Sequence, residues 1–279
     1  MIIKMTDKIK IPTFLKWAGG KRRILKDLDR LFPEKIDRYF EPFLGAGSVF
    51  FFVKKKYNPK FCAISDINKD LVDTYISVRD KPRGLIKNLK FFDKNNSEEF
   101  YYTIREKFNE KKINGIKRSA AFIYLNKTCY NGLYRVNSKN EFNVPYGRYK
   151  HPEIFNTENI LEASGLLQGV QITTQDYRNI TNQVKSGDFI YLDPCYDPLK
   201  KTSFANYTPK KFCEADRINL ASFIKYLKNS DVNLVLSNND LSEIRRIYSE
   251  FKIAEIQVSR AINSNSKERG KIMELVIRN

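Results

Sequence analysis

Short apolar runs and amphipathic stretches follow one another along this chain in the order of a wound α/β sheet. Residues 39–43 form an aromatic-rich run that stops at glycines, and residues 48–55 have helical character. A second apolar run, residues 61–65, ends at Asp66. Residues 67–78 then repeat at helical spacing through Ile67, Leu71 and Tyr75. The first 80 residues therefore predict strand–turn–helix–strand–helix, the opening of a doubly wound, mostly parallel sheet.

From about Asp80 to Tyr149 the pattern changes. Residues 97–109 predict a helix with Ser97 as its cap, Glu98 and Glu99 in the first turn, and Phe100, Ile104 and Phe108 on one face. Residues 119–126 predict an apolar helix. Residues 127–150 are polar, aromatic and glycine-containing with no clean period, which predicts a long functional loop. Strands are expected again at 170–174, 189–192 and 234–237. Thr208-Pro209 has the form of a helix start, with that helix reaching about Lys228, and residues 253–258 and 272–277 predict a closing antiparallel pair.

Composition narrows the class of protein. The 279 residues suffice for one large domain or a core domain with an insertion, and 42% hydrophobic content excludes a disordered chain. Fifty Lys+Arg against 32 Asp+Glu give a net charge of +18, which points to a polyanion such as nucleic acid or, alternatively, to a general Lys bias. Cys62, Cys129, Cys195 and Cys213 form no C-x-x-C pair, so reduced thiols without a metal are expected. The single histidine, His151, lies in a polar stretch and reads as an exposed loop residue. No signal-like segment and no uncharged apolar run of about 18 residues occurs, so a soluble cytoplasmic protein is expected.

Three constellations carry candidate chemistry. In Glu41-Pro42-Phe43-Leu44-Gly45-Ala46-Gly47-Ser48 a strand ends and two glycines let the backbone turn and approach a ligand before a helix begins. Asp66, nineteen residues after Gly47, ends the next strand, where a carboxylate can accept ribose hydroxyls of an adenosine-containing cofactor. The bland alternative is an ordinary strand–helix turn. Asp193-Pro194-Cys195-Tyr196 follows the strand at 189–192. Its carboxylate and backbone carbonyl can accept the two N–H bonds of a planar amine on which the ring stacks; the alternative is a structural Asp-Pro turn. Phe14-Leu15-Lys16-Trp17-Ala18-Gly19-Gly20-Lys21 holds the only tryptophan and reads as a pocket wall with Lys21 near a carboxylate or phosphate, or as a glycine turn over a buried ring.

Together these segments resemble the Dam-type, alpha-arranged adenine-N6 DNA methyltransferases. A fourth matching block is Tyr130-Asn131-Gly132-Leu133-Tyr134-Arg135, continuing through Glu141-Phe142-Asn143-Val144-Pro145-Tyr146-Gly147-Arg148-Tyr149. The blocks stand in the family's order over nearly the whole chain. The resemblance implies a Rossmann-like catalytic domain from 1–80 and 165–279, with a mainly helical target-recognition insert at 81–164. It implies S-adenosylmethionine on Trp17, Lys21, Phe43, Gly45, Gly47, Asp66, Tyr177 and Asp193, and no metal. It places Lys16, Leu133, Arg135 and Pro145 at base-contacting positions, with Tyr130 and Asn131 helping to open the duplex.

The reaction so implied is direct methyl transfer to adenine N6 in double-stranded DNA, within GATC. Asp193 and the Pro194 carbonyl would accept N6 hydrogen bonds while Tyr196 stacks on the flipped base. The family's tetrapeptide has a second proline where Cys195 stands here. A catalytically impaired DNA- or cofactor-binding protein is therefore one competing reading. An enzyme acting on RNA or a protein amide is another, since related tetrapeptides serve those substrates too. A monomer is expected, and a cognate restriction endonuclease acting separately is a further expectation.

Overall fold

The computed structural model describes residues 9–195, 214–259 and 271–279. Seven strands form one sheet: β1 (Arg38–Glu41), β2 (Phe61–Asp66), β3 (Gln171–Thr174), β4 (Phe189–Leu192), β5 (Asn233–Asn239), β6 (Lys252–Ser259) and β7 (Lys271–Arg278). Their spatial order is β3-β2-β1-β4-β5-β7-β6. β1 to β5 pair in parallel; β7 runs antiparallel to β5 and to β6. The strand order reverses between β1 and β4, and ligands of such sheets bind outside the strand carboxyl ends at that reversal.

Period-two alternation gives each sheet face its own core. Tyr39, Ile64, Phe189, Tyr191 and Val276 pack on one face. Phe40, Ile190, Leu192, Leu275 and Ile277 pack on the other, against Leu220, Ile224 and Leu227 of α8 (Glu214–Lys228). α1 (Leu25–Asp29), α2 (Ser48–Lys56) and α3 (Lys69–Asp80) belong to the first face, and α9 (Ser242–Ile247) to the second.

The structure departs from the sequence reading at several elements. Ile67 is not on a helix face: it is 60% exposed, and α3 starts only at Lys69, where the Asn68 side chain accepts from Leu71 N. The helices not anticipated include α4 (Pro82–Lys94) and α7 (Thr157–Leu166). α4 has Pro82 in its first turn and buries Leu85, Ile86, Leu89 and Phe92. In α7 the Asn156 side chain accepts from Asn159 N. α5 (Glu98–Asn109) does take Ser97 as its cap. α6 (Gly115–Thr128) is buried at every position from Ser119 onward, because α3, α4 and α5 surround it.

Residues 127–150 are not an irregular loop but a folded-back hairpin. Bridges join Cys129 to Tyr146 and Val136 to Phe142. Tyr134, Val136, Phe142 and Val144 point into the core shared with α6. Thr208-Pro209 lies outside the described residues.

Candidate active site

The turn after β1 is built by its glycines. Gly45 and Gly47 adopt φ values of +49° and +65°, a region costly for other residues. A Cβ on Gly45 would stand 2.9 Å from Trp17 Cδ1, and one on Gly47 would stand 2.6 Å from the Tyr75 hydroxyl oxygen. Tyr75 Oη donates to the Gly45 carbonyl at 3.1 Å, so α3 fixes the turn from behind. Asp66 at the end of β2 closes the same turn: its Oδ2 accepts from Gly45 N at 3.2 Å and its Oδ1 from Asn68 N at 3.0 Å. Burial pushes the Asp66 carboxyl up against the pull of these amides.

Trp17 is half-buried and stacks on Tyr134 of the hairpin at 5.3 Å with 17° between ring planes. Phe43 stacks on Tyr177 at 5.2 Å, and Ile67 projects beside Asp66, exposed. The sequence reading gave Ile67 a packing role, which its exposure rules out.

Lys21 is 3% exposed and lies between two carboxylates. Its Nζ is 2.8 Å from Asp193 Oδ1 and 3.3 Å from Glu274 Oε1, and it donates to the Gly19 carbonyl at 2.9 Å. Burial works against its charge, but Asp193 and Glu274 outweigh it and raise its pKa. Below them, Tyr39 Oη donates to Glu41 Oε2 at 2.6 Å. Burial, together with the nearby Asp193 and Asp66, holds the Glu41 carboxyl well above the usual carboxylate range, despite the Tyr39 bond. Asp193, Asp66, Gly45, Gly47, Trp17 and Lys21 thus come together at the carboxyl ends of β1, β2 and β4. Glu41 and Glu274 join them without having been singled out as site residues.

Cys195 follows Pro194 along a cleft shared with Arg217, Asn238 and Asn239. Cys195 is exposed. Tyr196 lies outside the described residues.

The DNA-reading positions of the sequence analysis gather on the hairpin side. Lys16 is exposed, with Nζ 4.9 Å above the Tyr149 ring. Tyr130 is 49% exposed, and Asn131 has φ +56° in a 3-10 turn. Leu133 and Arg135 are half-buried, and Pro145 is exposed. Arg135 is not a free loop side chain, since its Nε donates to Asn143 Oδ1 at 2.7 Å.

Residues 17–262 match the profile of the D12 class N6 adenine-specific DNA methyltransferases. The chain belongs to this family. Among its relatives, the Type II methyltransferase M.MjaIII of Methanocaldococcus jannaschii is 42% identical over 97% of this chain and 100% of its own length. The Type II methyltransferase M1.LlaDCHI of Lactococcus lactis subsp. cremoris is 37% identical over 100% and 99% of the two chains. The DNA adenine methylase of Escherichia coli is 35% identical over 94% and 93%. As a D12 class enzyme the protein methylates adenine N6 in DNA. The sheet is the mostly parallel one anticipated. No helix among the described residues is long and apolar enough to cross a membrane. Nor, among those residues, does any group of three or more His, Cys, Asp or Glu side chains stand ready to hold a metal ion.

Proposed function

We propose that the protein transfers the methyl group of S-adenosylmethionine to adenine N6 within GATC in duplex DNA, with Asp193 and the Pro194 carbonyl as the groups that hold the target amine. The observation that carries this reading is the convergence of Asp66, Gly45, Trp17 and Asp193 at the strand-order reversal. The residues fit the cofactor: a cradle that a Gly45 Cβ would fill, an acidic residue ending β2 for ribose hydroxyls, and the Phe43–Tyr177 wall with Ile67 for the adenine. Bound there, S-adenosylmethionine supplies an electrophilic methyl group on a cationic sulfur.

The lone pair of an adenine amine is conjugated with the ring and is a poor nucleophile. Asp193 and the Pro194 carbonyl accept its two N–H bonds, which favours a tetrahedral nitrogen and offsets the positive charge that develops on it. Tyr196 stacks on the base once it has left the duplex. Lys21 fixes one Asp193 oxygen, so the carboxylate is aimed before substrate arrives. In this reading residues 81–164 form the recognition insert, whose exposed Lys16-side surface and hairpin meet the DNA. The enzyme acts as a monomer, and any cognate endonuclease acts separately.

Asp193→Ala tests the assignment. Loss of one preorganised partner costs on the order of 100–1000-fold in rate. A folded variant that transfers radiolabelled methyl groups to a GATC duplex at more than about a tenth of the wild-type rate would place the chemistry elsewhere. RNA and protein substrates assayed in parallel test the substrate class.

A further inference from the structure

We propose that Glu274 is a positioning residue for methyl transfer: by sharing the Lys21 ammonium with Asp193, it keeps Asp193 an acceptor for the target amine. The proposal rests on the catalytic reading of Asp193. Lys21 Nζ carries three protons, and three oxygens stand around it: Asp193 Oδ1 at 2.8 Å, Gly19 O at 2.9 Å and Glu274 Oε1 at 3.3 Å. Two carboxyl groups thus share one ammonium, so Asp193 does not hold Lys21 alone beside the place where a sulfonium and a methylated amine carry positive charge. Burial raises the Glu274 pKa, and the adjacent Lys21 works against that rise. With a neutral residue at 274 the cluster would be Lys21 and Asp193 alone, a closed ion pair. An acceptor already neutralised by a buried lysine draws less on an incoming N–H bond.

The topology explains how the carboxylate reaches the site. β7 runs antiparallel to β5, with Glu274 opposite Asn239, so the early part of β7 lies at the carboxyl ends of the parallel strands. The next three residues, Leu275, Val276 and Ile277, are each 0% exposed and apolar. Glu274 interrupts this core pattern where the strand passes the crevice. A buried ion network is a weak way to stabilise a strand that apolar residues would hold at lower cost. Glu41 does not replace it, since its carboxyl takes the Tyr39 hydroxyl instead.

The experiment compares Glu274→Gln, which keeps shape and removes charge, with Glu274→Asp, which keeps charge and loses reach. Single-turnover methylation of a GATC duplex is measured at saturating S-adenosylmethionine, alongside the KM values, sinefungin affinity and melting temperature. Glu274→Gln is expected to lower the rate at least about tenfold, with both KM values and sinefungin affinity within about threefold of wild type. Glu274→Asp should be faster than Glu274→Gln. A Gln variant within about threefold of the wild-type rate, a loss carried wholly by KM, or Gln faster than Asp would overturn the proposal. If Glu274→Gln melts below the assay temperature, Glu274→Asp and Glu274→Asn are compared in the same way, and the charged residue must be the faster. Asp193→Asn separates the two readings. Full activity there removes the premise; an inactive Asp193→Asn beside an unimpaired Glu274→Gln removes only the role of Glu274.

Discussion

Asn126 and Lys16 pair as two residues of neighbouring strands would, although one of the partners is a side chain. Lys16 N donates to Asn126 Oδ1 at 2.8 Å, and Asn126 Nδ2 donates to the Lys16 carbonyl at 2.8 Å. The same Nδ2 lies 3.4 Å from the Gly132 carbonyl. Asn126 is 1% exposed, so these bonds form away from water and their loss leaves buried backbone groups unsatisfied. The residue ties the segment that ends in Trp17 to the start of the hairpin. Asn126→Ala is expected to cost about 2–4 kcal/mol of stability. It should also weaken discrimination between cognate and altered duplexes, since Lys16 loses its fixed backbone. Denaturant unfolding and methylation rates on a set of single-base variants check both parts; a destabilised variant with unchanged site preference would separate Lys16 from base reading.

Gly45 links the turn after β1 to the only tryptophan of the chain. Gly45→Ala puts a methyl group against Trp17 in a left-handed conformation that itself costs about 1–2 kcal/mol. S-adenosylmethionine affinity is expected to fall at least about tenfold, and Trp17 fluorescence is a direct reporter of binding. A titration unchanged by the substitution would move the cofactor away from this turn.

These two positions show what a sequence can and cannot disclose here. Gly45 and Gly47 were legible because they follow β1 within a few residues, and Asp66 because it ends β2, so local spacing carries the geometry. Asn126 was not, since its partner lies 110 residues earlier and its helix is buried all round, which removes any amphipathic period. Glu274 was hidden in a closing strand whose direction and neighbours only the folded sheet defines. The hairpin buries Tyr134 and Val136, but Leu133, in the other phase, also packs against the core, which blurs period two.

Glu41 gives a pH signature. Its carboxyl is raised well above the usual carboxylate range, chiefly by burial, so the native state holds this proton more tightly than the unfolded chain does. Stability from that proton is present in full below the unfolded value near 4.5 and is lost as pH rises through the native value. Glu41→Gln, neutral at every pH, removes this slope. The stability of the variant relative to wild type should therefore increase with pH above about 4.5, by at most about 1.4 kcal/mol per unit. Thermal unfolding of both proteins from about pH 4 to about pH 8 reads the difference. A constant difference would mean that Glu41 ionises equally in both states.

Arg135 is braced across the hairpin. Its Nε donates to Asn143 Oδ1 at 2.7 Å, its Nη2 lies 3.3 Å from the Asn143 carbonyl, and Asn143 N donates to the Arg135 carbonyl at 3.1 Å. A guanidinium held in one plane suits the bidentate reading of guanine O6 and N7, whereas a phosphate clamp needs only charge. Arg135→Ala is expected to lose about 1–3 kcal/mol of discrimination between GATC and sites altered at one base. Arg135→Lys should recover affinity for DNA without recovering that discrimination, because an ammonium lacks the fork. Asn143→Ala should shift specificity in the same direction by less, as it frees the plane without removing the charge. Methylation rates on a cognate duplex and its single-base variants decide the matter. A slowdown by one common factor on all of them would make Arg135 a phosphate contact and move sequence reading to other residues of the hairpin.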